Sequence, residues 1–127
     1  MKILLVDDSR TMRNIWKKVL EGINGSQTVE AGDGLEGLKA IETSGPFDLM
    51  LVDWNMPNMD GLTMVTKVRE KDKRTPIIMV TTEAEKPRII EAIKAGVNNY
   101  VVKPFTPETL RGKINETMQK AGHTVSA

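Results

Sequence analysis

The sequence predicts a single doubly wound α/β domain in which five parallel strands alternate with five helices. Short, continuous apolar runs are typical of strands buried on both faces of a sheet. They alternate along the chain with segments whose apolar residues recur at helical spacing. The length of 127 residues suits one domain with a substantial core. We find no domain boundary, internal repeat or low-complexity stretch, so we expect the chain to fold as one unit.

The first part of the chain is predicted to contain two strands and two helices. Residues 3–6 form a continuous apolar run of the buried-strand type, whereas residues 27–31 are more polar, as in an edge strand. The segments after these strands carry apolar residues at helical spacing, and Gly45-Pro46 closes the second helix. The spaced residues are Met12, Ile15, Trp16, Val19, Leu20 and Ile23 in the first helix, and Leu35, Leu38 and Ile41 in the second.

The second part of the chain is predicted to contain three strands and three helices. Apolar runs at 49–52, 77–80 and 100–102 mark the strands. Pro87 suits the first turn of the fourth helix, and Gly96 suits its end. The apolar residues at helical spacing are Leu62, Val65 and Val68 in the third helix, Ile89, Ile90 and Ile93 in the fourth, and Leu110, Ile114 and Met118 in the fifth.

Composition and charge exclude several classes of protein. Eighteen Lys and Arg against seventeen Asp and Glu give a net charge of +1, so no overall field favours nucleic acid or an anionic membrane. The chain has no cysteine, which excludes disulfides and thiolate sites and suits a reducing compartment. The start, MKILLVDDSR, lacks the apolar length of a signal peptide, and no run reaches the length of a membrane span. We therefore expect a cytoplasmic protein that binds neither nucleic acid nor membrane.

Charged and hydroxyl side chains follow four of the five predicted strands. Asp7 and Asp8 follow the first strand, Asp53 follows the third, Thr81 follows the fourth and Lys103 follows the last. In an open parallel sheet, sites form at the carboxyl ends of strands, near the point where the strand order reverses. The sequence therefore predicts that three acids, a hydroxyl and an amine meet at one edge of the sheet.

A cluster of this composition is suited to phosphoryl transfer. Taken alone, Asp8 could cap a helix, Thr81 could lie in a turn and Lys103 could be a solvated charge. Together, the acids would raise one another's pKa, and Mg²⁺, which prefers oxygen ligands, would compensate their charge. An amine and a hydroxyl would help to neutralise a phosphoryl group. Asp53 is the candidate nucleophile because it is single and central, and Asp7 and Asp8 are the candidate metal-holding pair.

Four segments resemble the receiver domains of the two-component response regulators, and most closely those of the chemotaxis response regulators. The segments are LLVDDSRTMR, DLMLVDWNMPNMDGL, IIMVTTEAEK and NYVVKPFTPETL. Together with the alternating strands and helices, the resemblance covers essentially the full chain. It implies a flavodoxin-like (βα)₅ domain with strand order 2-1-3-4-5. We expect the receiver domain to span residues 1–121, followed by a C-terminal tail, residues 122–127, that holds the only histidine, His123.

The resemblance implies a role for each residue at the strand ends. Asp53 would receive a phosphoryl group from the phosphohistidine of a histidine kinase, or from a small donor such as acetyl phosphate. Asp8, Asp53 and the backbone carbonyl of Asn55 would bind Mg²⁺, with assistance from Asp7. Lys103 would pair with the carboxylate or with the phosphoryl group, and the peptide bond between it and the following proline would be cis.

The resemblance also implies a conformational switch. Thr81 would move toward the phosphoryl group and Tyr100 would swing inward behind it, which would remodel the face made by the fourth helix, the last strand and the last helix. Three further residues would modulate the site. Thr82 would narrow access to the phosphoryl group, whereas Asn55 and Glu83 would favour rapid self-dephosphorylation. The protein would thus be a phosphoacceptor signalling protein that assists its own phosphorylation and dephosphorylation, rather than an enzyme.

Trp54 and the methionines are expected to be structural. Trp54 follows the candidate nucleophile, and we expect it to be a partly exposed loop residue whose fluorescence could report metal binding. The methionines are expected to pack in the interior rather than to line a binding groove. They are Met12, Met56, Met59 and Met118.

The expected partners follow from the resemblance. No second domain follows the last predicted helix, so the output would come from binding another protein. A histidine kinase would supply the phosphoryl group to a monomeric receiver, and a flagellar motor switch protein in chemotaxis is the first choice for the output. A phosphatase is a further candidate partner. The alternative is a stand-alone receiver in a phosphorelay outside chemotaxis.

Three other functions agree less well with the residues. A haloacid-dehalogenase-type phosphatase needs a second Asp two residues after its nucleophile, and that position holds Asn55. A flavodoxin would place its FMN phosphate near Asp7 and Asp8, which would repel it. A receiver used purely for docking or dimerisation often loses its acidic set, which is complete in this sequence.

Overall fold

Strands and helices alternate along the chain in the computed structural model, which describes residues 1–23 and 25–122. The predicted alternation is confirmed, and His123 lies outside the described residues. Within the described part of the chain, no helix has both the length and the apolar character that a membrane crossing requires. The elements are β1 (Lys2–Val6), α1 (Arg10–Leu20), β2 (Gln27–Ala31), α2 (Gly34–Ser44), β3 (Leu49–Val52), α3 (Gly61–Lys71), β4 (Ile77–Thr81), α4 (Lys86–Ala95), β5 (Asn99–Val102) and α5 (Pro107–Lys120).

The sheet has the strand order β2-β1-β3-β4-β5, and every neighbouring pair is parallel. This is the order that the resemblance implies, and β2 lies at an edge as its polar sequence predicts. The chain runs from β1 outward to β2 and then crosses back to β3, so the order reverses between β1 and β3. In such sheets ligands bind in the crevice at the carboxyl ends of the two strands that flank the reversal.

Apolar side chains pack on both faces of the sheet. Along β1, Ile3 and Leu5 belong to the cluster that α1 and α5 cover, whereas Leu4 and Val6 belong to the cluster on the opposite face. All four side chains are 0% exposed. A central strand that is buried on both faces has no solvent-facing side, which explains why its sequence is continuously apolar rather than alternating.

Helical spacing locates the helices correctly but does not identify every buried side chain. Leu35 and Ile93 lie within α2 and α4 and yet are 52% and 54% exposed. Ile23 was predicted within the first helix, but α1 ends at Leu20 and Ile23 packs into the core from the following turn. The spacing reports which side of a helix is apolar, whereas the neighbouring elements decide how much of that side is covered.

Side-chain caps begin four of the helices directly after the loops that leave the strands. In each case the side chain accepts a hydrogen bond from the backbone amide three residues further on, which satisfies one of the free amides of the first turn. The capping residues are Ser9, Asp33, Asp60 and Thr106. Because Ser9 caps α1, the alternative in which Asp8 serves as the cap does not apply.

The prediction for the methionines is confirmed, and the prediction for Trp54 is wrong. The methionines pack against the two apolar clusters. Trp54 is only 4% exposed and belongs to the cluster on the α2, α3 and α4 side of the sheet. The Trp54 carbonyl accepts a hydrogen bond from the Gly61 amide, so the loop after β3 closes on its own start, and the indole packs in the interior.

The backbone at Gly61 passes very close to the end of β3. A Cβ atom at this position would overlap the carbonyl oxygen of Asp53. The Gly61 amide also donates a 2.8 Å hydrogen bond to the carbonyl of Trp54. The first residue of α3 therefore packs directly against the segment that carries the candidate nucleophile, and only glycine permits this approach.

We expect Gly61→Ala to lower the free energy of unfolding by about 2 kcal/mol or more, because the added methyl group forces the backbone at Asp53 to move. Gly112→Ala in α5 is the matched control, since nothing lies within 4 Å of a Cβ atom there. Gly112→Ala is expected to raise stability by about 0.5–1 kcal/mol. Urea unfolding of both variants checks the prediction, and equal effects would contradict it.

Candidate functional site

The carboxyl ends of four strands bring the predicted residues together, as expected. The Lys103 ammonium lies 2.9 Å from Asp7 Oδ2 and 3.3 Å from Asp53 Oδ2, so one amine bridges the acids that follow β1 and β3. Thr81 is the last residue of β4 and is fully buried. The Lys103 amide donates to the Thr81 carbonyl at 2.8 Å, which extends the pairing of β4 and β5 to the site. The peptide bond after Lys103 is cis, as predicted.

Asp7 is held by the loop between β1 and α1. Its amide donates to the carbonyl of Ala31 at 3.1 Å, and its Oδ1 accepts a 2.8 Å hydrogen bond from the Ser9 amide. Arg13 donates from Nη1 to the Asp7 carbonyl, which fastens the same loop to α1. Asp7 is only 1% exposed, whereas the neighbouring Asp8 is exposed. One acid of the pair is therefore fixed in the interior, and the other lies at the solvent side.

Asp53 is held by the backbone on either side of it. Its amide donates to the Val6 carbonyl at 2.9 Å, which continues the pairing of β1 and β3 by one residue. Its Oδ1 accepts a 2.7 Å hydrogen bond from the Trp54 amide, and its Oδ2 faces Lys103. The residue is 7% exposed. The carboxylate thus has a defined orientation while one edge remains open to solvent.

The pKa of Asp53 is raised above its ordinary value. Burial is the largest cause, and it outweighs the nearby Lys103 ammonium, which lowers the pKa. The negative charge of Asp7 raises the pKa further, whereas the Thr81 hydroxyl and the Trp54 amide lower it. The ionised form of Asp53 is therefore incompletely compensated by the protein groups around it.

The acids of the site fit a hard divalent cation. Asp7, Asp8 and Asp53 each offer a carboxylate oxygen, and these oxygens lie within 4.8 Å of one another. Oxygen donors without His or Cys are the ligand set that Mg²⁺ prefers. Because the pKa of Asp53 is raised, additional positive charge at this position would be favourable. Asn55, the fourth predicted ligand, follows two residues after Asp53 in the exposed part of the same loop.

Glu83 connects the remaining predicted residues at the rim. The Asn55 side-chain amide donates to Glu83 Oε1 at 3.3 Å, and the Glu83 amide donates to Thr81 Oγ1 at 3.4 Å. The Tyr100 hydroxyl donates a 2.6 Å hydrogen bond to the Glu83 carbonyl. Thr82 is exposed beside them. The two sides of the rim, the loop after β3 and the loop after β4, are therefore joined through one residue.

The pKa of Tyr100 is raised to about 12, first by burial and then by the negative charges of Glu83 and Asp53. The positive charge of Arg88 opposes these effects. Tyr100 consequently keeps its proton at physiological pH and acts as the hydrogen-bond donor to the Glu83 carbonyl.

Three residues near the site, Arg88, Trp16 and Arg13, are not among the site residues that the sequence predicts. The Arg88 guanidinium lies 5.3 Å from the centre of the Trp54 ring, and the Lys103 ammonium lies 5.8 Å from the centre of the Trp16 ring. Arg13, which holds the loop of Asp7, is the third. Each comes from the first turns of a helix that begins at this edge of the sheet, and that position is the one signal that could have drawn attention to them.

Comparisons with known proteins agree with this geometry. The sequence matches the response regulator receiver domain family over residues 3–115. It is 47% identical to the chemotaxis protein CheY1 of Helicobacter pylori over 116 residues, which are 90% of this chain and 94% of that protein. It is 48% identical to the chemotaxis protein CheY of Pseudomonas aeruginosa over 122 residues, which are 94% of this chain and 98% of that protein.

Solved structures give the same result. A CheY-like response regulator receiver domain protein from Methanospirillum hungatei superposes with a TM-score of 0.86 at 31% identity and covers 95% of both chains. The chemotaxis protein CheY4 of Vibrio cholerae superposes with a TM-score of 0.83 at 36% identity, over 91% of this chain and 97% of that one. The match in family, sequence and fold extends over nearly the whole chain, and the chain therefore belongs to the response regulator receiver domain family.

Proposed function

We propose that residues 1–121 act as a phosphorylation-dependent signalling domain in which Asp53 accepts a phosphoryl group from a histidine kinase. The observation that carries the proposal is the contact of one ammonium, that of Lys103, with two buried acids at the reversal point of the sheet. This arrangement gathers a nucleophilic carboxylate and groups that neutralise a phosphoryl group. Residues 122–127 are proposed to be a tail outside this domain.

In the proposed reaction, an oxygen of the Asp53 carboxylate attacks the phosphorus of the donor. A P–O bond forms as the P–N bond of the phosphohistidine breaks, and the imidazole leaves with the bonding electron pair. The hydrogen bond from the Trp54 amide to Oδ1 fixes the orientation of the carboxylate for attack. The product is an acyl phosphate on Asp53, so the phosphoryl group stays covalently attached to the receiver.

Mg²⁺ is the proposed cofactor. The carboxylates of Asp7, Asp8 and Asp53 and the backbone carbonyl of Asn55 would hold it, which is supported by the close grouping of the carboxylate oxygens. When bound, the ion neutralises charge on the acids and on the phosphoryl oxygens. Lys103 is proposed to supply a second positive charge to the phosphoryl group.

The proposed switch runs from Asp53 to the surface formed by α4, β5 and α5. The Thr81 hydroxyl would bond to the phosphoryl group, and the bond between Tyr100 and the Glu83 carbonyl would follow the rearranged loop after β4. The surface carries large apolar side chains that are 37% to 54% exposed, as expected for a docking site. They are Ile90, Ile93 and Val102. Thr82 would modulate access to the phosphoryl group, while Asn55 and Glu83 would modulate its loss.

Chemotaxis is the proposed process, because relatives that are 47% and 48% identical are chemotaxis proteins. The output partner is then a flagellar motor switch protein in the cytoplasm, and a phosphatase would be a further partner of the monomeric protein. Binding of the phosphorylated protein to the switch protein of the same organism, measured directly, tests this assignment. An absence of binding would favour a receiver in another phosphorelay.

We expect acetyl phosphate with Mg²⁺ to add one phosphoryl mass to the protein and Asp53→Asn to abolish the addition, because an amide is not a nucleophile under these conditions. Asp60→Asn is the matched control, since Asp60 caps α3 close to the site and asparagine caps helices equally well. Intact-mass spectrometry checks both variants. Labelling of Asp53→Asn at the normal rate would place the phosphoryl group elsewhere.

Without metal, we expect Asp53→Asn to be more stable than the native protein at neutral pH. The pKa of Asp53 is raised in the folded state, so its ionisation opposes folding, and the native protein loses stability as the pH rises through that pKa. The advantage of the variant should therefore shrink as the pH falls and Asp53 becomes protonated. Urea unfolding in EDTA across the acid range measures the difference.

Asp33→Asn is a control that is expected to change the free energy of unfolding in the opposite direction. The Glu36 amide and then the Asn58 side chain hold the pKa of Asp33 below its ordinary value, so its ionised form stabilises the fold. Asp33→Asn should lower stability at neutral pH, and this loss should also shrink on acidification. A loss of stability for Asp53→Asn at neutral pH would contradict the electrostatic description of the site.

We expect beryllofluoride, a mimic of the phosphoryl group, to shift backbone NMR resonances both near Asp53 and along α4 and β5. In Thr81→Ala the shifts should remain near Asp53, because the hydroxyl that would contact the phosphoryl group is missing. Thr66→Ala is the control, since its hydroxyl donates to the Leu62 carbonyl within α3. Full propagation to α4 and β5 in Thr81→Ala would remove Thr81 from the switch.

A further inference from the structure

Lys103 reaches its acidic partners across a considerable span of the sheet. It follows β5, whereas Asp7 follows β1, and β3 and β4 lie between these strands. Three strand spacings amount to about 14 Å. The ammonium nevertheless lies 2.9 Å from Asp7 Oδ2, and the side chain is only 13% exposed. The loops after the strands and the lysine side chain together cover this distance. A buried lysine held in one arrangement loses rotamer freedom, so neighbouring groups that favour this arrangement stabilise it.

Trp16 of α1 lies close to the Lys103 ammonium. The Lys103 ammonium is 5.8 Å from the centre of its indole ring, within the range over which an aromatic ring attracts a cation. Trp16 is 0% exposed and packs in the core cluster between α1, α5 and the sheet. The ring therefore forms part of the interior wall of the site on the α1 side, next to the bridging amine.

Hydrogen bonding by the indole N–H does not explain why position 16 holds a tryptophan. The atom Nε1 is fully buried and has no hydrogen-bond partner among the described residues. A buried donor without a partner destabilises the fold, and an aliphatic side chain at this position would avoid that cost. Tryptophan offers in return the strongest attraction for a cation of any aromatic ring, at the place where an ammonium is buried.

We propose that Trp16 is a positioning residue that holds the Lys103 ammonium between Asp7 and Asp53. The ring attracts the cation from the core side, and the two carboxylates attract it from the sheet edge. The apolar wall also keeps water from replacing the carboxylates as partners of the amine. The consequence for reactivity rests on the proposed function of Asp53, whereas the placement of the amine does not.

The consequence for reactivity is tested with Trp16→Leu and Trp16→Phe, each made alone and together with Lys103→Met. The rate of phosphorylation by acetyl phosphate should fall about fivefold in Trp16→Leu and by less than about twofold in Trp16→Phe, which keeps an aromatic ring. In the Lys103→Met background, Trp16→Leu should produce no further change, because the cation is absent. Equal slowing with and without the lysine, or equal slowing in the two Trp16 variants, would overturn the proposal.

Phe47→Leu is the matched control for loss of an aromatic ring beneath a lysine. The Lys2 ammonium lies 5.4 Å from the Phe47 ring, which is 5% exposed and belongs to the cluster on the opposite face of the sheet. Phe47→Leu should lower the stability toward urea while leaving the phosphorylation rate within about twofold of the native rate. A slowing equal to that of Trp16→Leu would show that destabilisation alone accounts for the effect.

The placement of the amine is tested by NMR without any phosphorylation. Lys103→Met should shift the indole N–H resonance of Trp16, and Lys2→Met should leave it in place. Both variants keep Trp16 and the side chains of the two apolar clusters, so the measurement does not depend on whether Trp16→Leu folds. An unshifted resonance in Lys103→Met would overturn the proposal. A shifted resonance in a protein that acetyl phosphate does not label would reject the function proposed for Asp53 and retain the placement.

Discussion

Carboxylates that repel one another are gathered at one edge of the sheet, and the groups around them compensate part of this repulsion. Asp7 and Asp53 are almost fully buried, and a single ammonium, that of Lys103, compensates both. The compensation is incomplete, because burial and the Asp7 charge leave the pKa of Asp53 raised. The folded protein therefore holds an excess of negative charge at a site where burial limits the screening by water. Such a site has a built-in preference for additional positive charge, and this preference is a property of the fold rather than of any single residue.

Asp53 is placed by the neighbouring strand β1 and by the loop that follows β3. Pairing with Val6 and the hydrogen bond from the Trp54 amide fix its backbone and one oxygen. Further along the same loop, the backbone of Asn58 adopts a φ of 67°. Its side chain donates a 2.7 Å hydrogen bond to the side chain of Asp33 at the start of α2. The loop is thus fastened at the strand that precedes it and at a helix on the next layer. Both attachments restrain the segment that carries the carboxylate, and a defined position of the reacting group favours its chemistry.

Glu83 gives the site a physical connection to the α4 and β5 side of the molecule. Its side chain accepts from Asn55, its amide donates to Thr81, and its carbonyl accepts from Tyr100. The loop after β3, strand β4 and strand β5 are thus each hydrogen-bonded to one residue of the short segment between β4 and α4. A change in charge at Asp53 that displaced the Thr81 hydroxyl would alter the bonding of that segment, and the tyrosine would experience the change through the same residue. Glu83 therefore links the Thr81 hydroxyl to the Tyr100 hydroxyl through hydrogen bonds of one residue.

Patterns along the chain are enough to predict the alternation of strands and helices, the buried character of β1, β3 and β4, and the set of chemical groups at the strand ends. These are local properties, because apolar periodicity and the residue after a strand are read from neighbours along the chain. The tertiary structure decided which groups touch. Lys103 meets Asp53 and Asp7 across 50 and 96 residues, and those contacts depend on strand order and on how far each loop extends. The burial of Trp54 and the placement of Trp16 beneath the amine were also invisible to periodicity, since loop direction and the packing of one helix on the sheet set both.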